Sequence, residues 1–263
     1  MDGAGADGAG ADGASMEWDA ASYDRVSGPQ ARWGKAVLER LQLTGGETVL
    51  DAGCGTGRVT EELVRVLPRG RVVALDASAS MLARARARLA GAAGRVSFVQ
   101  ADLSQVRPAD LGSAVPVDAV LSTATFHWVV DHDRLFGNLR SVLRSGGQLV
   151  AQCGGEGNIA NVIDAVRSLG VQRAGTWLYA TAEDTGQRLE RAGFADVRAW
   201  CNPEAVEFPH GNGLVEFLST VCLREHLSTM APEQRRPFAE RVAAAMPAPV
   251  IDYVRLNIVA RAG

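Results

Sequence analysis

From residue 48 onward the chain alternates short apolar runs with stretches of helical period. Thr48–Ala52 is an apolar run bounded by turn residues, which predicts a buried strand. A helix over 57–67 follows, with Val59, Leu63, Val64 and Leu67 on one face, and Pro68 and Gly70 end it. The unit then repeats as strand 71–76 and helix 79–90. That helix turns Met81, Leu82, Ala85 and Leu89 inward and Arg84, Arg86 and Arg88 to a solvated face. Strands over 96–100 and 117–122, a helix over 131–144 and a strand over 148–153 complete the series. Repeated strand–helix units imply right-handed crossovers and a mostly parallel sheet.

The flanks are less regular. Pro29 opens a helix over 29–43 with Trp33, Val37, Leu38 and Leu41 at helical spacing, and Thr44–Glu47 stops it. Downstream, helices over 157–169 and 184–193 precede a strand at 196–201, a helical stretch over 213–246 and a last strand at 253–260. Two late strands around a helical insertion predict a hairpin-like sheet edge with one antiparallel strand and a helical cap. The fold expected is α/β and doubly wound, with seven strands. Residues 16–263 then form one domain: a helical lid at 16–43, a core at 44–153, and a C-terminal part at 154–263 with its cap at about 213–246.

Residues 1–15 (MDGAGADGAGADGAS) have too little apolar surface to order and read as a disordered leader. They spell G-x-G-x-x-G twice, but neither copy follows a strand, so neither has the context of a nucleotide-binding loop. The remaining composition narrows the class. Of 263 residues, 47% are hydrophobic and the net charge is −3, so no broad basic field exists for nucleic acid or an anionic surface. No apolar run approaches the ~20 residues needed to span a bilayer. Cys54, Cys153, Cys201 and Cys222 are scattered without a C-x-x-C pair. That argues against a disulfide scaffold or zinc site and for a reducing cytoplasm. No metal is expected, and the run His127, Asp131, His132, Asp133 reads as a helix start.

The informative stretch is Val49–Gly57, VLDAGCGTG, at the end of the first strand. Open α/β sheets bind ligands at that edge. The spacing is G-x-G-x-G, with Arg58 where a dinucleotide loop needs its third glycine, which disfavours a nicotinamide enzyme. Gly53 and Gly55 let the backbone approach a ligand closely. Asp51 suits an amine-bearing group. Asp76, ending the second strand, can accept from ribose hydroxyls, and Asp102, after the third, can accept from an adenine amino group.

In order, VLDAGCGTG, VVALDAS, VQADL, DAVLSTATFHW and LRSGGQLVAQ make the chain resemble the class I S-adenosylmethionine-dependent methyltransferases. The resemblance implies a Rossmann-like sheet and S-adenosyl-L-methionine as cofactor. It places Asp51, Gly53 and Gly55 at the methionine part, and Asp76 with Ala77 at the ribose. Met81 falls on an adenine face, Asp102 and Leu103 at the adenine edge, and Thr123 near the sulfonium. WDAASYDR at 18–25, Gln30–Trp33, FHWV at 126–129, Leu223–Arg224 and YVRLNIVA resemble carboxyl methyltransferases acting on trans-aconitate, juvenile hormone acid and fatty acids. That likeness implies that Gln30 and Trp128 hold an acceptor carboxylate, and Arg224 could add a charge-assisted bond.

The expected reaction is methyl transfer to the carboxylate of a small or medium-sized acid, by in-line displacement. A carboxylate is ionised at neutral pH and needs no base, so His127 and Trp128 are expected to position the acceptor. The alternatives are O-, N- or C-methylation of a specialised metabolite with His127 as base, or a cofactor-binding subunit without catalysis. The partner expected is a small molecule, with no nucleic acid and no membrane span, and the chain a monomer or homodimer.

Overall fold

The computed structural model describes residues 19–26, 28–172, 175–208 and 211–263. The expected leader at 1–15, the start of the lid and His210 lie outside the described residues. Seven strands form one sheet in the order β3-β2-β1-β4-β5-β7-β6. They are β1 (Thr48–Ala52), β2 (Arg71–Asp76), β3 (Val96–Gln100), β4 (Val117–Thr123), β5 (Leu143–Gly154), β6 (Phe194–Glu207) and β7 (Val250–Ala262). β1 to β5 are mutually parallel, and β7 runs antiparallel to both β5 and β6. The antiparallel strand therefore lies at the expected edge of the sheet, one position in from the rim.

The apolar runs are continuous because both sheet faces are covered. Leu50, Ala52, Val73 and Leu75 pack into one core, and Val49, Val72 and Ala74 pack into another. Helices α3 (Arg58–Val66), α4 (Ala79–Arg88), α5 (His132–Val142), α6 (Ala160–Ser168) and α7 (Ala182–Arg191) fall within the expected helical stretches or within two residues of them. The sequence reading differs from the structure where pairing outruns periodicity. β6 and β7 pair from Phe194–Ala262 to Glu207–Val250, so they extend well past 196–201 and 253–260. The polar stretch Asn202-Pro203-Glu204 is carried into the sheet by that partner, and Pro203 is tolerated because β6 is the rim strand. The expected 213–246 helix is broken into α8 (Asn212–Phe217), a π turn at Leu218–Cys222, α9 (Arg224–Ser228) and α10 (Pro232–Ala245). Pro232 sits in the first turn of α10, where its missing N–H has no partner to lose.

The lid consists of α1 (Ala20–Val26) and α2 (Gly28–Leu38), the latter ending before the expected residue 43. Trp33 of α2 shares a third core with Val162 of α6, with Phe217, Leu218, Phe238 and Val242 of the cap, and with Ile251 and Tyr253 of β7. Lid and cap are thus one packed unit over the carboxyl ends of β1 and β4.

An ionic latch fastens α1 to the rest. Asp24 accepts from Thr56 Oγ1 at 2.6 Å, Arg58 Nε at 3.0 Å and Arg88 Nη2 at 2.8 Å. Arg58 also reaches the Asp24 carbonyl, and Arg88 donates to the Thr56 carbonyl at 2.9 Å. Burial opposes the charge on Asp24, but the Thr56 hydroxyl and the two guanidiniums hold its carboxyl below the usual range. The expected solvated face of α4 holds for the exposed Arg84 and Arg86 and is corrected only at Arg88. Arg88 is three-quarters covered, and Arg86 lies over the Phe98 ring at 4.6 Å. A helical period cannot show which outward positions a separate segment will cover.

Asp24→Asn removes the charge that three donors share, a loss of about 1–3 kcal/mol for hydrogen bonds to a charged group. Amide hydrogen exchange is expected to quicken at least tenfold over 20–26 while the sheet amides stay protected, and unchanged exchange in α1 counts against the latch.

Candidate active site

The carboxyl ends of β1, β2, β3 and β4 open onto a cavity of about 370 Å³, roofed by lid and cap. Its floor is the turn after β1. Gly53 has φ of +87°, and a Cβ on it would lie 2.2 Å from Thr125 Oγ1. Only glycine fits both the left-handed backbone and that approach. The Leu75 carbonyl accepts from the N–H groups of Gly53 and Cys54, at 2.8 and 2.9 Å, which bolts the turn to β2.

Asp76 ends β2 on the cavity wall. Its Oδ2 accepts from Gly55 N at 2.8 Å and its Oδ1 from Ser78 N at 2.9 Å, so the carboxylate is fixed in direction. Ser78, not Asp76, caps α4, through a bond from Met81 N. Ala77, the buried Met81 and Leu103, and the exposed Asp102 line the same wall. Asp102 Oδ1 accepts from Ser104 N at 2.7 Å, which orients it at the end of β3.

Asp51 takes a different position from the one expected. It lies beneath the turn, 1% exposed, off the cavity wall, with Oδ2 accepting from Thr60 Oγ1 at 2.6 Å. Its Oδ1 is buried without a partner among the described residues. Burial, with repulsion from Asp76, pushes its carboxyl up to about 7 against the Thr60 bond. Asp51 is a brace under the loop with one oxygen to spare.

The expected acceptor end shares the wall of the same cavity: Gln30 of α2, Thr123 at the end of β4, His127 and Trp128 after it, and Arg224 of α9, with Gln30 and Thr123 also meeting Gly53 and Gly55 in a small recess. Three separate stretches of chain therefore bring the expected acceptor residues together. Gln30 Oε1 is buried there without a partner among the described residues. The His127 ring lies between Trp128 and Tyr179, with centroids 4.9 and 5.8 Å away. Gly154 N donates to His127 Nδ1 at 3.3 Å, which leaves the ring proton on Nε2. Burial, reinforced by the positive charge of Arg255, pushes the His127 pKa down to about 3. This tautomer and the lowered pKa count against the alternative of His127 as a base. The run after it is consumed by structure, as expected: Asp131 caps α5 and His132 Nε2 bonds the Phe126 carbonyl. Among the described residues no group of three or more His, Cys, Asp or Glu is arranged to hold a metal.

Several wall residues were not foreseen. Tyr23, Trp177, Tyr179, Tyr253 and Arg255 line the cavity, as do Ala124 and Ile159, whose φ values of 55° and 52° are left-handed without glycine. Strain of that kind gathers at functional sites. The aromatics lie in segments of no clear period. Arg255 carried a usable signal: a charge inside the apolar run Tyr253–Ala260 of a strand that has neighbours on both sides.

A family model described as a methyltransferase domain matches residues 49–147. A trans-aconitate 2-methyltransferase of Azoarcus sp. is 30% identical over 228 residues, covering 81% of this chain and 87% of that one. Another from Methylobacterium nodulans is 30% identical over 242 residues, 87% and 88% of the two chains. Among solved structures, a Haemonchus contortus phosphoethanolamine N-methyltransferase in complex with S-adenosylhomocysteine aligns with a TM-score of 0.60. It is 17% identical and covers 92% of this chain and 56% of that longer one, which supports the fold. The 30% likeness runs through most of both partners, and on it the chain belongs to the class I S-adenosylmethionine-dependent methyltransferases.

Proposed function

We propose that this enzyme methylates the carboxylate of a small or medium-sized acid. The observation that carries the reading is the character of the acceptor end of the cavity: it offers donors and a cation, and no base. His127 presents a neutral N–H. Burial pushes Tyr23 up to about 12 and Cys222 up to about 12, and it raises Tyr179 and Tyr253 as well. Each stays protonated at neutral pH. Among the described residues at this end none is a ready base for an acceptor that needs deprotonating, whereas a carboxylate arrives already ionised. Relatives named for trans-aconitate point to the same class.

S-adenosylmethionine, when bound, supplies a methyl group already activated on a sulfonium. The residues present fit it. The left-handed turn at Gly53 and Gly55 admits a close backbone approach, and Asp76, held by two backbone N–H groups on the cavity wall, would accept from the ribose hydroxyls. Met81 and Leu103 offer apolar contact for the adenine, and Asp102 an acceptor for its amino group. Asp51 supports the turn from below. On the acceptor side, Gln30, Trp128 and the His127 N–H orient the acid, with Thr123 close by and Arg224 at the α9 side. Lid and cap exclude water, which strengthens each of these interactions.

Calorimetry with S-adenosylhomocysteine is expected to show micromolar binding, and Asp76→Ala to weaken it by roughly 10- to 100-fold through loss of bonds to a charged acceptor. Absence of binding at high micromolar ligand overturns the cofactor placement.

Gln30→Ala and Trp128→Ala should each raise the acceptor KM about tenfold, the loss of roughly one hydrogen bond or aromatic contact. S-adenosylhomocysteine affinity should stay constant; unchanged acceptor KM in both variants removes them from the site.

The acid reading also fixes the pH dependence. With His127 held near 3, against an ordinary 6.5, kcat/KM for an acid acceptor should show no ionisation of this ring between pH 5 and 9. His127→Ala should lower kcat about 10²-fold by loss of positioning and keep the shape of the profile. A wild-type limb near pH 6.5 that vanishes in the variant would instead identify a base. The sign for stability is the acid one. The unfolded chain takes up the proton as pH falls below 6.5 while the folded chain resists it to about 3, so stability contributed by neutral His127 declines across that window. Melting of His127→Asn should fall less steeply between pH 6.5 and 4 than melting of the wild type.

A further inference from the structure

Arg255 sits in the middle of β7, paired with Gly154 of β5 and Asn202 of β6, and it is 3% exposed. Its guanidinium stacks over the Trp33 ring, with Cζ 4.4 Å from the centroid, and lies 5.9 Å from the Tyr253 centroid. Nε donates to Gln152 Oε1 at 3.3 Å. Gln152 Nε2 in turn donates to Asn257 Oδ1 at 2.8 Å, which also accepts from Arg40 Nη1 at 2.7 Å. A chain of side chains running in from Arg40 thus holds Arg255 in place.

Every partner in that chain is neutral or cationic. Among the described residues no carboxylate forms an ion pair with Arg255; Glu204 acts on it only through space. A buried charge with one neutral acceptor is an unfavourable arrangement that an anion relieves. Burial pulls its pKa down accordingly. The side chain lines the cavity, and its charge reaches His127 at the acceptor end and Tyr23 beside the glycine turn. The other cation on the wall, Arg224, already has a partner. Around them the wall is mostly apolar or aromatic, with Trp128, Val129, Trp177, Tyr179 and Val221, and Gln30, Asn158 and Thr176 are its neutral polar members.

We propose that Arg255 is the anion anchor of the acceptor site, pairing with the one carboxylate of an acid whose remaining body is apolar. The proposal rests on the acid reading above and adds the residue that selects the charge and the number of charges it takes. A guanidinium fork engages one lone pair on each carboxylate oxygen and leaves the others for methylation. The Trp33 face and Gln152 hold the fork in one plane, so recognition is directional as well as electrostatic. Arg224, nearer the cap, is then a roof residue rather than the carboxylate partner.

The test uses the full chain saturated with S-adenosylhomocysteine. Benzoate, 4-phenylbutyrate and decanoate are each compared by calorimetry with their own carboxamides, and with adipate as a dicarboxylate. The wild type should bind at least one acid about 30-fold more tightly than its amide, the scale of a charge-assisted pair. Arg255→Gln should shrink that ratio below about threefold, Arg255→Lys should restore part of it, and S-adenosylhomocysteine affinity should stay within twofold in both. Equal binding of every acid and its amide by the wild type overturns the proposal, as does a preserved ratio in Arg255→Gln. Preference for adipate overturns the single-anion part. If Arg255→Gln loses S-adenosylhomocysteine binding and so has not folded, the wild-type ratios and Arg255→Lys decide the matter. Labelled methyl transfer on the same compounds, with matching phenols and amines, separates the two levels. Product on phenols or amines and on no acid overturns the acid reading itself. Product on acids with an unchanged ratio in Arg255→Gln overturns the anchor alone.

Discussion

Everything at the head of this sheet depends on one close approach, the passage of Gly53 under Thr125. The backbone there is left-handed, and no side chain fits in the space beneath the Thr125 hydroxyl. Held in that shape, the turn gives two N–H groups to the Leu75 carbonyl and one to Asp76. Strand β2 is thereby tied to the loop after β1, and the Asp76 carboxylate is aimed before any ligand arrives. Asp51 and Thr60 brace the turn from beneath. Preorganisation of this kind spends the ordering free energy at folding rather than at binding.

The two ends of the cavity follow opposite electrostatic rules. At the proposed cofactor end, carboxylates at the ends of β2 and β3 line the cavity wall. At the acceptor end, burial keeps the His127 ring and the lining Tyr179 and Cys222 neutral, while arginine keeps its proton at any accessible pH. A neutral His127, protonated tyrosines and one buried guanidinium are the features on which the proposed acid acceptor rests. The same low dielectric that silences His127 as a base strengthens Arg255 as an anchor.

Lid and cap make this division possible. They belong to distant parts of the chain, yet they share the Trp33–Phe217–Tyr253 core, and the Asp24 latch ties the lid back to the cofactor loop. One roof therefore covers both ends of the cavity. Trp33 serves twice, packing the roof and stacking on Arg255, so acceptor recognition and roof closure share a side chain. A fold alone leaves the chemistry open; here the roof decides it.

How much of this was legible in the chain depends on the range of the interactions involved. Strands β1 to β5 and their helices are written locally, because a buried parallel strand needs an uninterrupted apolar run and a crossover helix needs its period. The glycine turn, Asp76 and Asp102 were legible for the same reason: each lies at a fixed offset from the strand that positions it. The long pairing of β6 with β7, the breaks in the cap, and the burial of Arg88 were not legible. Each is imposed by a partner far away in sequence, and a period carries no record of its partner. The sequence by itself determined a parallel sheet with a methyl-donor site at its carboxyl edge. Only the tertiary structure decided that Asp51 braces from below, that His127 is a neutral donor, and that Arg255 lies buried on the cavity wall against Trp33 without a carboxylate ion pair among the described residues. Burial and the company of other side chains set the charge and direction of each, and neither exists until the chain has folded.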